Sequence, residues 1–238
     1  MEYDFKNSFK EMPYGEPFVC SFSGGKDSVL AFCRANEIGE AKGLLTWYDE
    51  EKQESVFHHQ NIEILQKQAD SIELPLIISK FTPWSHRLEL IEQYKNFAAH
   101  GVRSIIFGDI YLEDSAKMQS ILCRKAGLVP RFPLWGNSVE ELFKDLEERK
   151  IKTIISRVNT AYLDESWLGK EYNKETFCSF KETEIDPFGE KGEFHTTVID
   201  ADVFNHCVEI ALENENGAKI NFSKHELKNN IYRLIKNQ

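Results

Sequence analysis

Two stretches concentrate the residue types that do chemistry. The first is Ser23-Gly24-Gly25-Lys26-Asp27-Ser28, preceded by the apolar run Phe18-Val19-Cys20 and followed by Val29, Leu30 and Cys33 on one helical face. A strand that breaks at two glycines and opens a helix makes an anion site. The glycines let backbone approach closely, the first helical N–H groups have no intrahelical acceptor, and the helix dipole favours negative charge. Lys26 adds a point positive charge, and the Ser23 and Ser28 hydroxyls are donors for phosphate oxygens. The second stretch runs Asp186-Pro187-Phe188-Gly189-Glu190-Lys191-Gly192-Glu193-Phe194-His195-Thr196-Thr197. Two glycines set a turn, and Glu190, Glu193 and His195 crowd within a few residues of it, ahead of a strand starting at Val198-Ile199. Neighbours in such a cluster shift one another's protonation, which suits proton transfer; an acidic β-turn with a satisfied histidine is the structural alternative.

The elements that position these residues follow from periodicity. Gly43 to Tyr48, Leu76 to Ile78 and Ser104 to Asp109 read as further strands, each a continuous apolar run. Between them lie helical patterns over Lys26 to Ile38, Ile62 to Ile72 and Trp84 to His100, and another carries Met118, Ile121 and Leu122. Gly39, Gly101 and Gly127 stand at helix ends, where a left-handed residue is expected. Continuous apolar strands alternating with helices define an α/β fold: a parallel sheet with helices on both faces. In such a sheet ligands bind beyond the strand C-termini, where the winding reverses. If the first and fourth strands flank that point, Gly108 and Asp109 arrive beside Gly24 and Gly25, and Asp27 and Asp109 become candidate Mg²⁺ ligands. A cap on the following helix is the alternative for Asp109.

The pattern changes near Leu128. Pro130-Arg131-Phe132-Pro133-Leu134-Trp135 reads as an ordered connection, Ser138-Val139-Glu140-Glu141 as a capping box, and Lys152 to Val158 as a strand. These features divide the chain into residues 1–130 and a smaller unit, 131–238. Met1 to Glu16, polar and without clear pattern, reads as a loose lead-in.

The 238 residues carry a net charge of −10, which disfavours nonspecific attraction to nucleic acid or to anionic membrane. No apolar run reaches the length of a membrane span. Five widely spaced cysteines without a CxxC fit reduced thiols in a cytoplasmic protein and offer no pair for sulfur relay. A homodimer is compatible with all of these features.

The glycine turn lacks the four intervening residues of a Walker A loop and resembles instead the SGGxDS loop of the PP-loop ATP pyrophosphatases. Together with Gly189-Glu190-Lys191-Gly192-Glu193-Phe194-His195-Thr196, the chain resembles the diphthine–ammonia ligase family. Phe57-His58, Gly108-Asp109-Ile110, Phe132-Pro133-Leu134-Trp135 and Trp167-Leu168-Gly169 extend the likeness from about Phe18 to Phe204. The resemblance implies an N-terminal HUP-type ATP pyrophosphatase domain and a smaller C-terminal α+β domain that receives the acceptor. It also implies an AMP-forming ligase. In it the backbone around Thr46-Trp47-Tyr48 is expected to receive the adenine of ATP, with Tyr48 or Trp47 stacking on it and core packing as the alternative for Trp47. ATP adenylates a carboxylate, that of diphthine on elongation factor 2, with Mg²⁺ and Lys26 stabilising the developing charge. Ammonia then displaces AMP, with Glu190, Glu193 or His195 binding ammonium or taking its proton. No glutaminase module is legible, so free ammonium is the expected nitrogen source.

The chain departs from the family pattern at Phe188, where relatives often carry a Cys, and over Ser115 to Ser120, where they tend to carry an Arg and a Glu. The ATP machinery is therefore expected to be kept while part of the acceptor pocket differs. Two other readings share the loop: a PP-loop pyrophosphatase acting on a small carboxylate or on tRNA, and an ATP-binding HUP-fold sensor without turnover. Pyrophosphate release with candidate acceptors separates the first, and absence of turnover the second.

Overall fold

The computed structural model describes residues 4–50, 54–56, 60–80, 86–213, 219–221 and 233–234. Phe57, His58 and Trp84 lie outside them, as do residues 51–53 of the acidic loop. By its contacts the chain groups into two compact units, Met1–Ser23 with Asp27–Asn137 and Gly24–Lys26 with Ser138–Gln238.

In the first unit, a short helix α1 (Phe5–Ser8) leads into β1 (Pro17–Ser21), α2 (Lys26–Asn36), β2 (Glu40–Asp49) and a short β3 (Glu54–Ser55). There follow α3 (Ile62–Ile72), β4 (Leu76–Lys80), α4 (His86–Ala99), β5 (Ser104–Ile106), α5 (Glu113–Lys125) and β6 (Val129–Arg131). β1 lies between β2 and β5 and is parallel to both, β4 is parallel to β2 on its far side, and β6 is parallel to β5. The winding therefore runs outward from β1 through β2 to β4, then returns to the other side of β1 for β5 and β6. This is the expected α/β fold, a parallel sheet flanked by helices, with its reversal between β1 and β5. Val19, Leu45 and Ile105 of these strands, with Phe107 just beyond β5, join Leu90, Tyr94, Leu122 and Phe132 in one apolar cluster, and Trp47 packs in it too.

Three local readings are corrected. The Pro130 segment is not only a connection, because Val129–Arg131 pairs with β5 as a sheet edge. Proline has no N–H to donate, and an edge strand is where a sheet accepts it. The lead-in is anchored rather than loose. Phe5 packs against Phe132 and Trp135 at ring distances of 5.4 and 4.7 Å, and Glu16 forms a buried ion pair with Arg131 at 2.9 Å. Gly39 does not adopt a left-handed conformation, as Gly101 and Gly127 do at φ 90° and 76°. It is needed for close approach, since a Cβ there would lie 2.9 Å from the Glu16 carbonyl oxygen and 2.8 Å from the Phe18 ring.

In the second unit, α6 (Val139–Glu148) opens with the expected capping box. Ser138 accepts from the Glu141 N–H, and Glu141 reaches back to the Ser138 N–H. β7 (Lys152–Val158) pairs antiparallel with β8 (Phe194–Asp200), which starts four residues before the expected Val198. A 3₁₀ turn (Glu165–Trp167) and α7 (Lys174–Lys181) lie between them. Strands β9 (Ala211–Glu213), β10 (Lys219–Asn221) and β11 (Arg233–Leu234) form a separate small sheet. Phe143 stacks on Phe177 at 4.4 Å, and Phe180 lies 5.0 Å from Phe194.

Candidate active site

At the C-terminal end of β1 the Phe22 N–H donates to the Leu45 carbonyl, holding the exit of the central strand to β2. Ser23 and Ser28 face each other across the glycine turn, with their hydroxyls 3.1 Å apart. The helix that follows is fixed by burial: Val29, Leu30, Ala31, Phe32 and Cys33 are all buried. The return crossover brings Gly108 against this first turn. A Cβ on Gly108 would lie 3.0 Å from the Asp27 carbonyl carbon and 3.1 Å from the Ser28 nitrogen. The topology thus brings Ser23, Asp27, Ser28, Gly108 and Asp109 to one sheet edge, at the point where the winding reverses.

Asp109 is partly buried, and desolvation holds its carboxyl above the ordinary carboxylate range. Hydrogen bonds from the Ser115 side chain and its own backbone oppose that rise, and the Asp27 charge adds to it. Two carboxylates that sense each other beside a phosphate-type loop are a hard-oxygen donor pair. Magnesium is commonly held by one or two carboxylates, with substrate phosphates completing its shell. Among the described residues there is no group of three or more acidic, His or Cys side chains that could hold a metal by themselves. The pair fits a cation brought in with a nucleotide and not a stand-alone metal centre.

Thr46 is buried and Tyr48 half-buried on the C-terminal half of β2, with Thr46 one residue beyond the bond to Phe22. Burial raises the Tyr48 phenol, with Glu50 and Asp49 adding to the effect. Over Ser115 to Ser120, Ser115 touches Asp109, while Lys117 pairs with Glu113 at 2.7 Å on the exposed side of α5. Burial, with Cys33 adding to it, pushes the Cys20 thiol far up, which disfavours a thiolate there.

The remaining loop residues, Gly24 to Lys26, make their contacts within the second unit. The Gly24 carbonyl accepts from the Val198 N–H at 2.9 Å, and the Lys26 N–H donates to the Thr196 hydroxyl at 3.1 Å. The Lys26 ammonium donates to the Phe188 carbonyl at 2.5 Å and lies 4.9 to 5.5 Å from the centres of three rings, Phe188, Phe194 and Tyr172. The second motif is a turn organised by one buried carboxylate. Glu193 accepts from the Asp186 and Lys191 N–H groups, both at 3.1 Å, while the Asp186 carboxylate accepts from the Phe188 N–H at 2.8 Å. Gly189 and Gly192 take positive φ of 70° and 84°. Glu190 and His195 are half-buried, and His195 sits in register opposite Arg157. The residues that motif reading passed over are Tyr172 and Thr196; only the placement of Thr196 inside the late motif pointed to it.

A parallel sheet whose central strand ends in a glycine turn, with carboxylates gathered at the winding reversal, defines an α/β protein built around that turn. The chain belongs to the diphthamide synthase family. The model of that family's N-terminal domain matches residues 18–130, and the model of its C-terminal domain matches residues 138–232. The chain is also similar to a diphthine–ammonia ligase of Schizosaccharomyces pombe, 24% identical over 205 residues. That match takes in 76% of this chain and 34% of the fission-yeast protein, so the chain spans about a third of the length of the curated relative it matches. Among solved structures it is similar to a predicted subunit of tRNA methyltransferase from Methanocaldococcus jannaschii. The TM-score is 0.43 at 14% identity, covering 78% of this chain and 97% of that one. No helix among the described residues is long and apolar enough to cross a membrane.

Proposed function

We propose that the chain is an ATP-dependent, AMP-forming ligase that activates a carboxylate and amidates it with ammonia, the acceptor being diphthine on elongation factor 2. The carrying observation is the Ser23–Ser28 turn at the winding reversal of a family-matched sheet, with Gly108 and Asp109 packed against its helix. Residues 1–130 are proposed as the ATP pyrophosphatase domain and residues 131–238 as the acceptor domain.

In this reading the turn's backbone and the Ser23 and Ser28 hydroxyls hold the triphosphate, and Thr46 and Tyr48 line the adenine. Asp27 and Asp109 would hold Mg²⁺, which supplies charge neutralisation on the phosphate oxygens when bound. The acceptor carboxylate oxygen attacks the α-phosphorus, the bond to the bridging oxygen breaks, and pyrophosphate leaves. Ammonia then attacks the acyl carbon, Glu190 or His195 takes its proton, and AMP leaves with the former carboxylate oxygen. Glu193 serves by holding the turn, because both of its oxygens already accept backbone N–H groups. Preorganised donors aimed at developing phosphate charge are the main catalytic contribution expected of such a site.

The test is incubation with ATP, ammonium and elongation factor 2 bearing diphthine, following AMP, pyrophosphate and the mass of the acceptor. Acceptor-dependent AMP with a carboxyl-to-amide mass change is expected. AMP without amidation rejects the ligase, and absence of AMP rejects the ATP chemistry.

A further inference from the structure

A lysine in a phosphate-type loop is ordinarily assigned to the phosphates. Here Lys26 as a residue is 2% exposed and its ammonium is caged: Phe188, Tyr172 and Phe194 surround it at 4.9, 5.5 and 5.3 Å, and the Phe188 carbonyl accepts from it. A desolvated cation needs such compensation, and aromatic faces with an aligned carbonyl provide it. The cage is itself braced. The Tyr172 hydroxyl donates to the Pro187 carbonyl at 2.5 Å, and the Tyr172 ring packs against Phe188 and Phe194 at 6.2 and 5.7 Å. Together with Gly24 O to Val198 and Lys26 N to Thr196, the lysine head group completes three anchors on two residues of the turn, Gly24 and Lys26.

We propose that Lys26 is a positioning residue: the cage of Tyr172, Phe188 and Phe194 grips its ammonium, and this grip, not a contact of Lys26 with phosphate, sets the backbone of the phosphate loop. The assignment of the loop to phosphate rests on the function proposed above; the grip does not. Tyr172 and Phe194 act through Lys26 and are positioning residues as well.

A double-mutant cycle of Lys26→Met with Tyr172→Leu tests this in the full chain. Each single variant is expected to weaken ATP binding by about threefold to thirtyfold, the range that cation–π contacts of this kind convert to. The double variant should bind as the weaker single, and Tyr172→Phe, which keeps the ring, should bind nearly as wild type. Multiplying effects overturn the proposal, as does loss of binding in Lys26→Met with wild-type binding in Tyr172→Leu. Urea midpoints without nucleotide should show the same non-additivity, and strict additivity refutes the grip. Acetylation of Lys26, read by peptide mass spectrometry, should be slow in wild type and fast in Tyr172→Leu; equal rates also refute it. Should Tyr172→Leu fail to fold, Phe194→Leu takes its place in every arm. A wild-type chain that binds no ATP overturns the proposed function alone, because the urea and acetylation arms still decide the grip.

Discussion

Replacing Gly108 by alanine adds one methyl group where the return crossover meets the first turn of α2. The backbone conformation permits it, since Gly108 is not among the residues with positive φ. The new Cβ would lie 3.0 Å from the Asp27 carbonyl carbon, 3.1 Å from its oxygen and 3.1 Å from the Ser28 nitrogen. All three are backbone atoms, so no side-chain rotation relieves the contact. The first turn of α2 must move by a few tenths of an ångström, against a helix whose Val29, Leu30 and Ala31 are fully buried. Overpacking of this kind costs about 1–3 kcal/mol, while the stiffer unfolded chain of an alanine variant returns about 0.4–1 kcal/mol. The net expectation is a loss of about 1–2 kcal/mol, or a melting temperature lower by about 3–6 °C for a chain of this size. Because the moving atoms are those of the loop, the Michaelis constant for ATP should rise as well. Thermal melts followed by circular dichroism, beside an AMP-formation assay, measure both quantities. A melting temperature at or above wild type would show that the first turn of α2 yields freely, and the argument that Gly108 fixes the loop would fail.

Three further outcomes follow from other buried polar groups. Glu16→Ala leaves the Arg131 guanidinium buried without its carboxylate and should cost about 3–5 kcal/mol in urea unfolding; Arg131→Met with Glu16→Leu should cost less than the single change. Asp109→Asn should stabilise the chain while lowering AMP formation. Burial raises the Asp109 pKa above its ordinary 3.8, so between that value and the raised one the folded chain keeps a proton that the unfolded chain has lost. Stability contributed by this group therefore falls as pH rises through that window, and the asparagine variant's advantage should grow from acid toward neutral pH. Glu193→Gln sets an amide N–H against a backbone N–H in the late turn and should cost about 1–3 kcal/mol, read as a lower urea midpoint.

What the residues revealed in advance was the part governed by period and punctuation. Apolar runs of strand length between helical patterns fixed the sheet as parallel, and the glycine turn marked which strand is central. The pairing of β1 with β5, on which the placement of Asp109 depends, was conditional in the sequence and is direct in the sheet register, from Phe18 opposite Ser104 to Cys20 opposite Ile106. The edge strand was missed because Pro130 argues locally against any strand, and only its position beyond β5 makes the missing donor harmless. The N-terminal segment was missed for a related reason. One aromatic at Phe5 and one acid at Glu16 carry no periodicity, yet their partners Phe132 and Arg131 lie more than a hundred residues away.

The same limit explains Lys26. A motif states which residue types share a loop and says nothing of where a four-carbon side chain ends. Locally, a lysine beside two glycines and an aspartate belongs with phosphate. Its burial among Tyr172, Phe188 and Phe194 depends on three aromatics separated from it by 146 to 168 residues of chain. Phe188 contributes to the cage twice, through its ring and through its carbonyl, which is the acceptor of the lysine proton. A backbone carbonyl survives any substitution of its side chain, whereas the Phe188 ring does not. The hydrogen bond is therefore available whichever residue stands at 188, and the aromatic wall is particular to a chain with a ring there.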